Sequence, residues 1–257
     1  MEGDELLTGR ERLIVALDVG SVDDALRIVD ELPDVRCFKV GWRLLMAGLR
    51  SGGLDRLWRE VTGGGRTVFV DLKVPDIGNT VASVVGDLAD DPAVRFLTLH
   101  ESLQGRDIAA AKAARGARET PYLLTVPFVS SLDAGDLAAI APAEAARGMT
   151  LDQWILGRAE SAIGHGCDGV IASGEAIALC RGRWPRDATP RVWIVSPGIR
   201  PAGSGTDDHK RSTTPAAAVA AGADYLVVGR PVLNAGDRAR AAAAIVQEID
   251  VALGDAR

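Results

Sequence analysis

The sequence predicts an α/β fold in which eight strand–helix units close a single parallel barrel over residues 1–257. Short apolar runs rich in β-branched residues recur along the chain, and Ala-rich amphipathic stretches separate them. That alternation is typical of repeated βα units, and eight such units form the (β/α)8 TIM barrel. No linker, low-complexity tract or change in composition marks a second domain, and about 250 residues is an ordinary length for one such barrel.

The elements follow from the local patterns. Several strands are almost wholly apolar, the run 67–70 among them, as expected for parallel strands that helices cover on both faces. The clearest amphipathic helices are predicted at 23–32 and 80–89. Glycine-rich segments at 63–65 and 221–224 are expected to turn the chain into strands three and eight. The predicted strands are 12–18, 35–40, 67–73, 94–100, 121–126, 168–173, 191–196 and 224–229.

Composition narrows the class of partner. A net charge of -6 and a pI near 5.2 argue against a nucleic-acid binder, which needs basic stripes for the phosphate backbone. No apolar run approaches the roughly 20 residues that a membrane span requires, and the acidic, polar stretch 1–12 does not resemble a signal peptide. Cys37, Cys167 and Cys180 are widely separated and odd in number, so neither disulfides nor a zinc site is expected. We therefore expect a cytoplasmic protein.

The most informative feature is the cluster of charged residues at the end of the third strand. Asp71 and Lys73 are two residues apart and share one face of the strand, and Asp76 follows as the chain leaves the sheet. An isolated pair of this kind is ordinarily a solvated ion pair, worth roughly 0 to 1 kcal/mol. Two other strands also end in charge, at Asp18 and Lys39, and a barrel brings such strand ends together at its catalytic face.

At these residues the sequence resembles the orotidine 5'-phosphate decarboxylase family. The matching stretches keep the family's order and extend from about residue 12 to about residue 235. One Asp-x-Lys-x-x-Asp motif alone is weak evidence for the family. The set of matching stretches in the family's order is strong evidence. The matching residues are 16–18, 38–41, 71–80, 130–133, 197–201 and 228–230.

The resemblance implies a role for each charged residue. Lys73 is expected to lie beside C6 of the pyrimidine, where it stabilises the developing carbanion and gives it a proton. Asp71 is expected against the departing carboxylate, Lys39 and Asp76 hold the charges in place, and Asp18 binds ribose hydroxyls. Neither a cofactor nor a metal is expected, since the charges themselves stabilise the reacting centre.

The phosphate end is predicted from the last two strands. Strand eight leads into Gly229, Arg230 and a proline suited to the first turn of a helix, and a helix amino terminus beside an arginine attracts anions. Strand seven leads into a polar, Gly-rich loop at 197–211, and loops of this length are commonly functional lids or disordered. The family resemblance favours a lid. By resemblance, Pro197 lies at the substrate and Arg200 reaches the phosphate.

One residue of this loop departs from the family pattern. His209 stands where the bacterial members have Gln, which in the family bridges the phosphate and the pyrimidine edge. An imidazole still offers a hydrogen-bond donor, and a charged one if protonated. Ser130 is expected to contact the pyrimidine, again by resemblance.

The resemblance also implies a homodimer. In the family, the residues equivalent to Asp76, Ile77 and Thr80 reach into the pocket of the neighbouring subunit. An apolar Ile77 in the loop after strand three suits such an interface.

The predicted activity is decarboxylation of orotidine 5'-phosphate to uridine 5'-phosphate, the last step of pyrimidine nucleotide synthesis. One alternative is a metal-dependent sugar-phosphate decarboxylase or synthase of the same superfamily, which has an acidic residue in place of Lys39. Lys39 and the sequence of residues 77–80 argue against it. The other alternative is a catalytically silent nucleotide-binding barrel. The presence of the complete set of charged residues argues against it.

Overall fold

The strands form a closed parallel barrel. The computed structural model describes residues 7–128, 134–202 and 213–255. Neighbouring strands pair in chain order and the last pairs with the first, so the predicted (β/α)8 TIM barrel is confirmed. Each observed boundary lies within two residues of the predicted one. The strands are β1 (Leu13–Ala16), β2 (Cys37–Gly41), β3 (Thr67–Val74), β4 (Val94–His100), β5 (Tyr122–Val126), β6 (Gly169–Ile171), β7 (Trp193–Ser196) and β8 (Tyr225–Val228).

Helices surround this barrel, and both helices predicted most clearly are confirmed. Among the described residues, no helix combines the length and the hydropathy that a bilayer crossing requires. The α-helices are α1 (Gly9–Arg12), α2 (Val22–Glu31), α3 (Trp42–Ser51), α4 (Leu54–Thr62), α5 (Gly78–Ala89), α6 (Gly105–Arg115), α7 (Ala134–Ile140), α8 (Pro142–Ala146), α9 (Leu151–Gly164), α10 (Glu175–Arg183), α11 (Pro215–Ala220), α12 (Arg230–Leu233) and α13 (Arg238–Asp255).

Aromatic side chains fill the amino-terminal half of the barrel interior. Phe96 packs against Phe69 and Tyr225, with ring centroids 5.7 and 4.9 Å apart in edge-to-face arrangements. Tyr122 and Trp193 extend the same cluster. Such contacts stabilise beyond the area they bury. Among the described residues, aromatic rings therefore occupy this half of the barrel, and a ligand-sized cavity lies at the carboxyl ends of the strands.

The three cysteines are buried and free, as expected. Burial raises the pKa of the Cys37 thiol to about 11 and those of Cys167 and Cys180 to about 12. These thiols therefore stay protonated near neutral pH and act as small apolar side chains.

Two aspartates, Asp224 fully buried and Asp168 partly buried, close the amino-terminal face of the barrel. Asp168 precedes β6 and accepts the backbone N–H of Leu123 from β5 at 2.8 Å. Asp224 precedes β8 and accepts the backbone N–H of Ile194 from β7, also at 2.8 Å. Each carboxylate thus ties its own strand to the preceding one at the point where the ladder begins. A glycine supports the second turn, because Gly222 has φ 106°, a value that L side chains rarely adopt.

Arginines neutralise both aspartates. Asp224 is fully buried and accepts from Arg181 Nη2 at 2.6 Å and from Arg186 Nη1 at 3.0 Å. Asp168 is paired with Arg115 and Lys112. Removing one partner of such a buried network leaves uncompensated charge, which is strongly destabilising.

Asp224→Asn keeps the shape of the side chain but removes its charge. We expect the free energy of unfolding to fall by about 3 to 5 kcal/mol, since several arginines then lose their counter-charge in a buried site. Urea denaturation followed by circular dichroism measures the change. The control is Asp30→Asn on the exposed face of α2, expected within about 0.5 kcal/mol of wild type. Equal, small losses for the two variants would show that this network adds no net stability.

Candidate active site

Strand β3 leaves the regular ladder where its charged residues begin. Val70 pairs with Leu97 and Val74 pairs with Leu99, so residues 71–73 lie opposite Thr98 alone. A bulge of this kind bends the strand and redirects its side chains.

The backbone of Lys73 is strained within this bulge. Its φ is +46°, and among the described residues it is the only non-glycine with a positive φ. L side chains rarely occupy that region, which costs of order 1 to 3 kcal/mol and is found mostly where function requires it.

The bulge completes a chain of alternating charge across three strands, here called the charged array: Asp18, Lys39, Asp71 and Lys73. Lys39 Nζ lies 3.0 Å from Asp18 Oδ1 and 3.1 Å from Asp71 Oδ2. Lys73 Nζ lies 2.7 Å from Asp71 Oδ1. The structure thus brings together the four residues that the sequence placed at the ends of strands one to three.

Burial and the neighbouring charges shift the pKa values of Asp71 and Lys39 in opposite directions. Burial by itself raises the pKa of Asp71, but the ammonium groups of Lys39 and Lys73 outweigh it and hold that pKa below its ordinary value. Burial likewise lowers the pKa of Lys39, and Asp71 and Asp18 outweigh it, so the net pKa is raised. Both groups therefore stay ionised near neutral pH.

A cavity of about 860 Å³ opens over the array at the carboxyl end of the barrel. Asp18, Lys39, Asp71 and Lys73 form one side of it. Its volume is within the range of small-molecule sites. Phe69 of β3 also lines the cavity, and other lining residues come from the later strands, the segments after them and the helices beside them, including Val126, Ile171, Ser173, Val227 and Asn234.

The predicted phosphate residues line the same cavity. Pro197 and Arg200 come from the segment after β7, and Gly229 and Arg230 come from the end of β8 and the start of α12. The backbone N–H of Arg200 donates to the Thr213 carbonyl at 2.9 Å, which holds the chain after β7 against the residues that precede α11. The same cavity is therefore lined by the charged array and by two arginines.

Several cavity residues were absent from the sequence prediction, and Arg43 is one that carries charge. Arg43 lies in the first turn of α3 and donates from Nη1 to the backbone carbonyl of Asp18 at 3.1 Å. The signal was available, because Arg43 is a cation just beyond the end of a barrel strand, as Arg230 is.

Three predicted residues do not reach the array of their own chain. Asp76, Ile77 and Thr80 are exposed and are absent from the lining of the cavity. Asp76 and Ile77 border a separate shallow depression together with Arg106. The side chain of Ile77 is 70% exposed, which is unusual for a large apolar residue.

An exposed apolar stripe lies on α3, here called the α3 face: Trp42, Met46 and Leu49. These residues recur at helical spacing and are 54%, 41% and 59% exposed. Trp42 also donates from Nε1 to the backbone carbonyl of Leu72 in the bulge at 2.9 Å. The α3 face and Ile77 follow adjacent strands, at the same end of the barrel as the array.

Two predicted residues, Ser130 and His209, lie outside the described residues. Two carboxylates that could otherwise bind a metal ion, those of Asp18 and Asp71, are instead bridged by the Lys39 ammonium. Within the described ranges, no three His, Cys, Asp or Glu side chains come close enough together to hold an ion.

Known proteins are similar to this chain in sequence and in architecture. The chain is 45% identical over 241 residues to orotidine 5'-phosphate decarboxylase of Rhodopseudomonas palustris (strain HaA2), covering 93% of this chain and 95% of the relative. It is 44% identical over 244 residues to the protein of the same name from Afipia carboxidovorans, covering 95% and 96%. The crystal structure of orotidine 5'-phosphate decarboxylase from Lactobacillus acidophilus superposes with a TM-score of 0.72 at 29% identity, covering 93% and 98%.

A comparison with whole families gives the same result. Residues 11–245 match the family described as orotidine 5'-phosphate decarboxylase / HUMPS. That range contains every strand of the barrel and the whole charged array. The chain therefore belongs to the orotidine 5'-phosphate decarboxylase / HUMPS family.

Proposed function

We propose that the charged array is the centre at which this chain, an orotidine 5'-phosphate decarboxylase, breaks the bond to the substrate carboxylate. The enzyme converts orotidine 5'-phosphate to uridine 5'-phosphate and CO2 in pyrimidine biosynthesis. The observation that carries the assignment is the position of Lys39, whose ammonium lies between two carboxylates. The metal-dependent members of the superfamily have an acidic residue at this point.

The chemical problem is the electron pair left behind. When the bond from C6 to the carboxylate breaks, CO2 departs and the pair remains on a carbon without an adjacent electron sink. Lys73 supplies a fixed positive charge beside that carbon and then transfers a proton from Nζ to it. The strained bulge aims this ammonium into the cavity, and fixed charges act strongly where little water competes.

Asp71 faces the carboxylate that leaves. Its depressed pKa keeps it ionised, so the bound substrate carboxylate meets a negative charge that is relieved as CO2 departs. Lys39 holds Asp71 from the other side and prevents it from taking up a proton. Asp18, at the outer end of the array and half-exposed to the cavity, binds the ribose hydroxyls.

The phosphate binds in the same cavity, beside Arg200 and Arg230. Arg200 and Arg230 supply positive charge, Gly229 leaves room for close approach, and Pro197 lines the wall between them. Binding energy gained there assists the reaction if it helps to close the site over the array.

Two assignments rest on the family resemblance alone: Ser130 on the pyrimidine, and His209 in the position of the family's Gln.

We assign the working enzyme as a homodimer with shared sites. Asp76, Ile77 and Thr80 are exposed and lie outside the cavity of their own chain, which supports a role in the neighbouring subunit. The α3 face supplies apolar surface at the same end of the barrel, and solvent is an unfavourable environment for it. Free, buried thiols support the cytoplasm as the compartment.

The function is tested by following the ultraviolet absorbance of orotidine 5'-phosphate mixed with the purified protein, with and without a chelator. Decay that survives chelation supports the assignment. A strict metal requirement would select the sugar-phosphate alternative, and binding without decay would select the silent barrel.

The role of Lys73 is tested by Lys73→Ala. We expect kcat to fall by about a thousandfold or more, because both the positive charge and the proton donor are lost. Affinity for uridine 5'-phosphate should stay near the wild-type value. Arg230→Ala gives the contrasting pattern, with nucleotide affinity weaker by about 1.5 to 3 kcal/mol. If Lys73→Ala keeps a tenth of wild-type turnover, the assignment is wrong.

The electrostatic coupling predicts how Asp71 titrates. Its folded-state pKa is depressed, so its contribution to stability is present above the unfolded pKa and is lost as pH falls through the folded value. With ¹³C-labelled aspartate, NMR should show Asp71 taking up its proton at a lower pH than an ordinary aspartate side chain does. In Lys39→Met, burial is opposed by one ammonium fewer, and Asp71 should take up its proton at higher pH. Arg59→Met, exposed on α4 and absent from the lining of the cavity, is the control, and equal titration in all three proteins would disprove the coupling.

The shared site predicts complementation between two inactive variants, Lys73→Ala and Asp76→Ala. In a hybrid dimer one site carries both defects and the other carries neither. Random exchange makes about half of the dimers hybrid, so roughly a quarter of wild-type activity should return. If subunit exchange is verified and activity stays at the level of the separate variants, Asp76 serves its own chain.

A further inference from the structure

The bulge in β3 creates a hydrogen-bonding problem that the regular ladder does not have. Residues 71–73 face a single residue of β4, so on that side their backbone groups lose some of the usual partners. Buried backbone N–H and C=O groups that find no partner are costly. Trp42 satisfies the carbonyl of Leu72 from the outer side. The N–H of Lys73 requires a partner from the inside of the barrel.

Thr98 is that partner. Its side chain is fully buried on β4, directly opposite the bulge. The backbone N–H of Lys73 donates to Thr98 Oγ1 at 2.9 Å. Thr98 Oγ1 in turn donates to Asp71 Oδ1 at 3.0 Å. One hydroxyl therefore touches both the backbone of Lys73 and the carboxylate of Asp71.

The direction of these two bonds is determined by chemistry. An amide N–H only donates, so the hydroxyl must accept from Lys73, and its single hydrogen is then free to point at the carboxylate. Asp71 consequently receives three side-chain donors. Oδ1 accepts from Lys73 Nζ and Thr98 Oγ1, and Oδ2 lies against Lys39 Nζ. This leaves the Asp71 carboxylate little freedom to rotate.

We propose that Thr98 is a positioning residue, which holds Asp71 and Lys73 in the geometry that the decarboxylation requires. The inference rests on the proposed function of those two residues. Thr98 itself does not line the cavity and does not touch substrate. It acts by fixing the positive φ of Lys73 and the orientation of the Asp71 carboxylate at the same time.

The consequence is specific to the chemical step. Without the hydroxyl, the Lys73 N–H is left buried without its partner, and the strained φ loses the contact that supports it. The bulge then relaxes and the charges shift relative to C6, and small displacements of reacting groups have large effects on rate. Asp18, Arg200 and Arg230 follow strands β1, β7 and β8 and do not belong to the bulge, so binding of ribose and phosphate is retained.

The test is a set of three variants. Thr98→Val removes the hydroxyl and keeps the shape, and we expect kcat to fall by about tenfold to a hundredfold. KM and affinity for uridine 5'-phosphate should change less than threefold. Thr98→Ser keeps the hydroxyl and should restore kcat to within a few-fold of wild type. The matched control is Thr125→Val on β5, equally buried but on the outer face of the barrel, which should leave kcat unchanged.

Several results would overturn the inference. A kcat for Thr98→Val equal to that of Thr125→Val would do so, as would a loss in Thr98→Ser as large as that in Thr98→Val. If Thr98→Val does not fold, the comparison of Thr98→Ala with Thr98→Ser isolates the hydroxyl, and equal kcat values would contradict the proposal. Wild-type protein that fails to decarboxylate orotidine 5'-phosphate would refute the function itself, which is a separate outcome.

Discussion

The ionised carboxylate of Asp71 is the group on which the rest of the site depends. A carboxylate at this depth would ordinarily gain a proton, because burial favours the neutral form. Two ammonium groups prevent this, one from β2 and one from the same strand two residues later. The carboxylate in return keeps the buried ammonium of Lys39 charged. Each buried charge is stable only because its neighbours are ionised, so the ionised states of the array depend on one another.

The barrel separates stability from chemistry along its axis. At the amino-terminal face, aromatic rings and two arginine-bound aspartates pack and tie the strands together. At the carboxyl face, the chain carries buried charge and a non-glycine residue with a positive φ. Features of the second kind persist only where the surrounding structure over-determines them. The rigid base thus offsets the strain that the active end requires.

The carboxyl face also explains the unusual surface of this protein. Large apolar side chains stand exposed on α3 and at Ile77, beside the strands that carry the array. Trp42 belongs to this surface and to the bulge at once, through its bond to the Leu72 carbonyl. A subunit that covers the α3 face would therefore contact the element that positions Lys73, and assembly and catalysis would share one structural link.

The sequence by itself determined the barrel and the composition of the array, because strand and helix periods are local and the carboxyl ends of barrel strands converge. The four residues of the array could be predicted on that basis: Asp18, Lys39, Asp71 and Lys73. Only the tertiary structure decided the bulge and the part played by Thr98. A threonine in an apolar strand carries no signal of its partners, since its contact with residues 71–73 depends on the pairing between strands β3 and β4. Asp168 and Asp224 were hidden for the same reason, because their arginines come from helices distant in the chain.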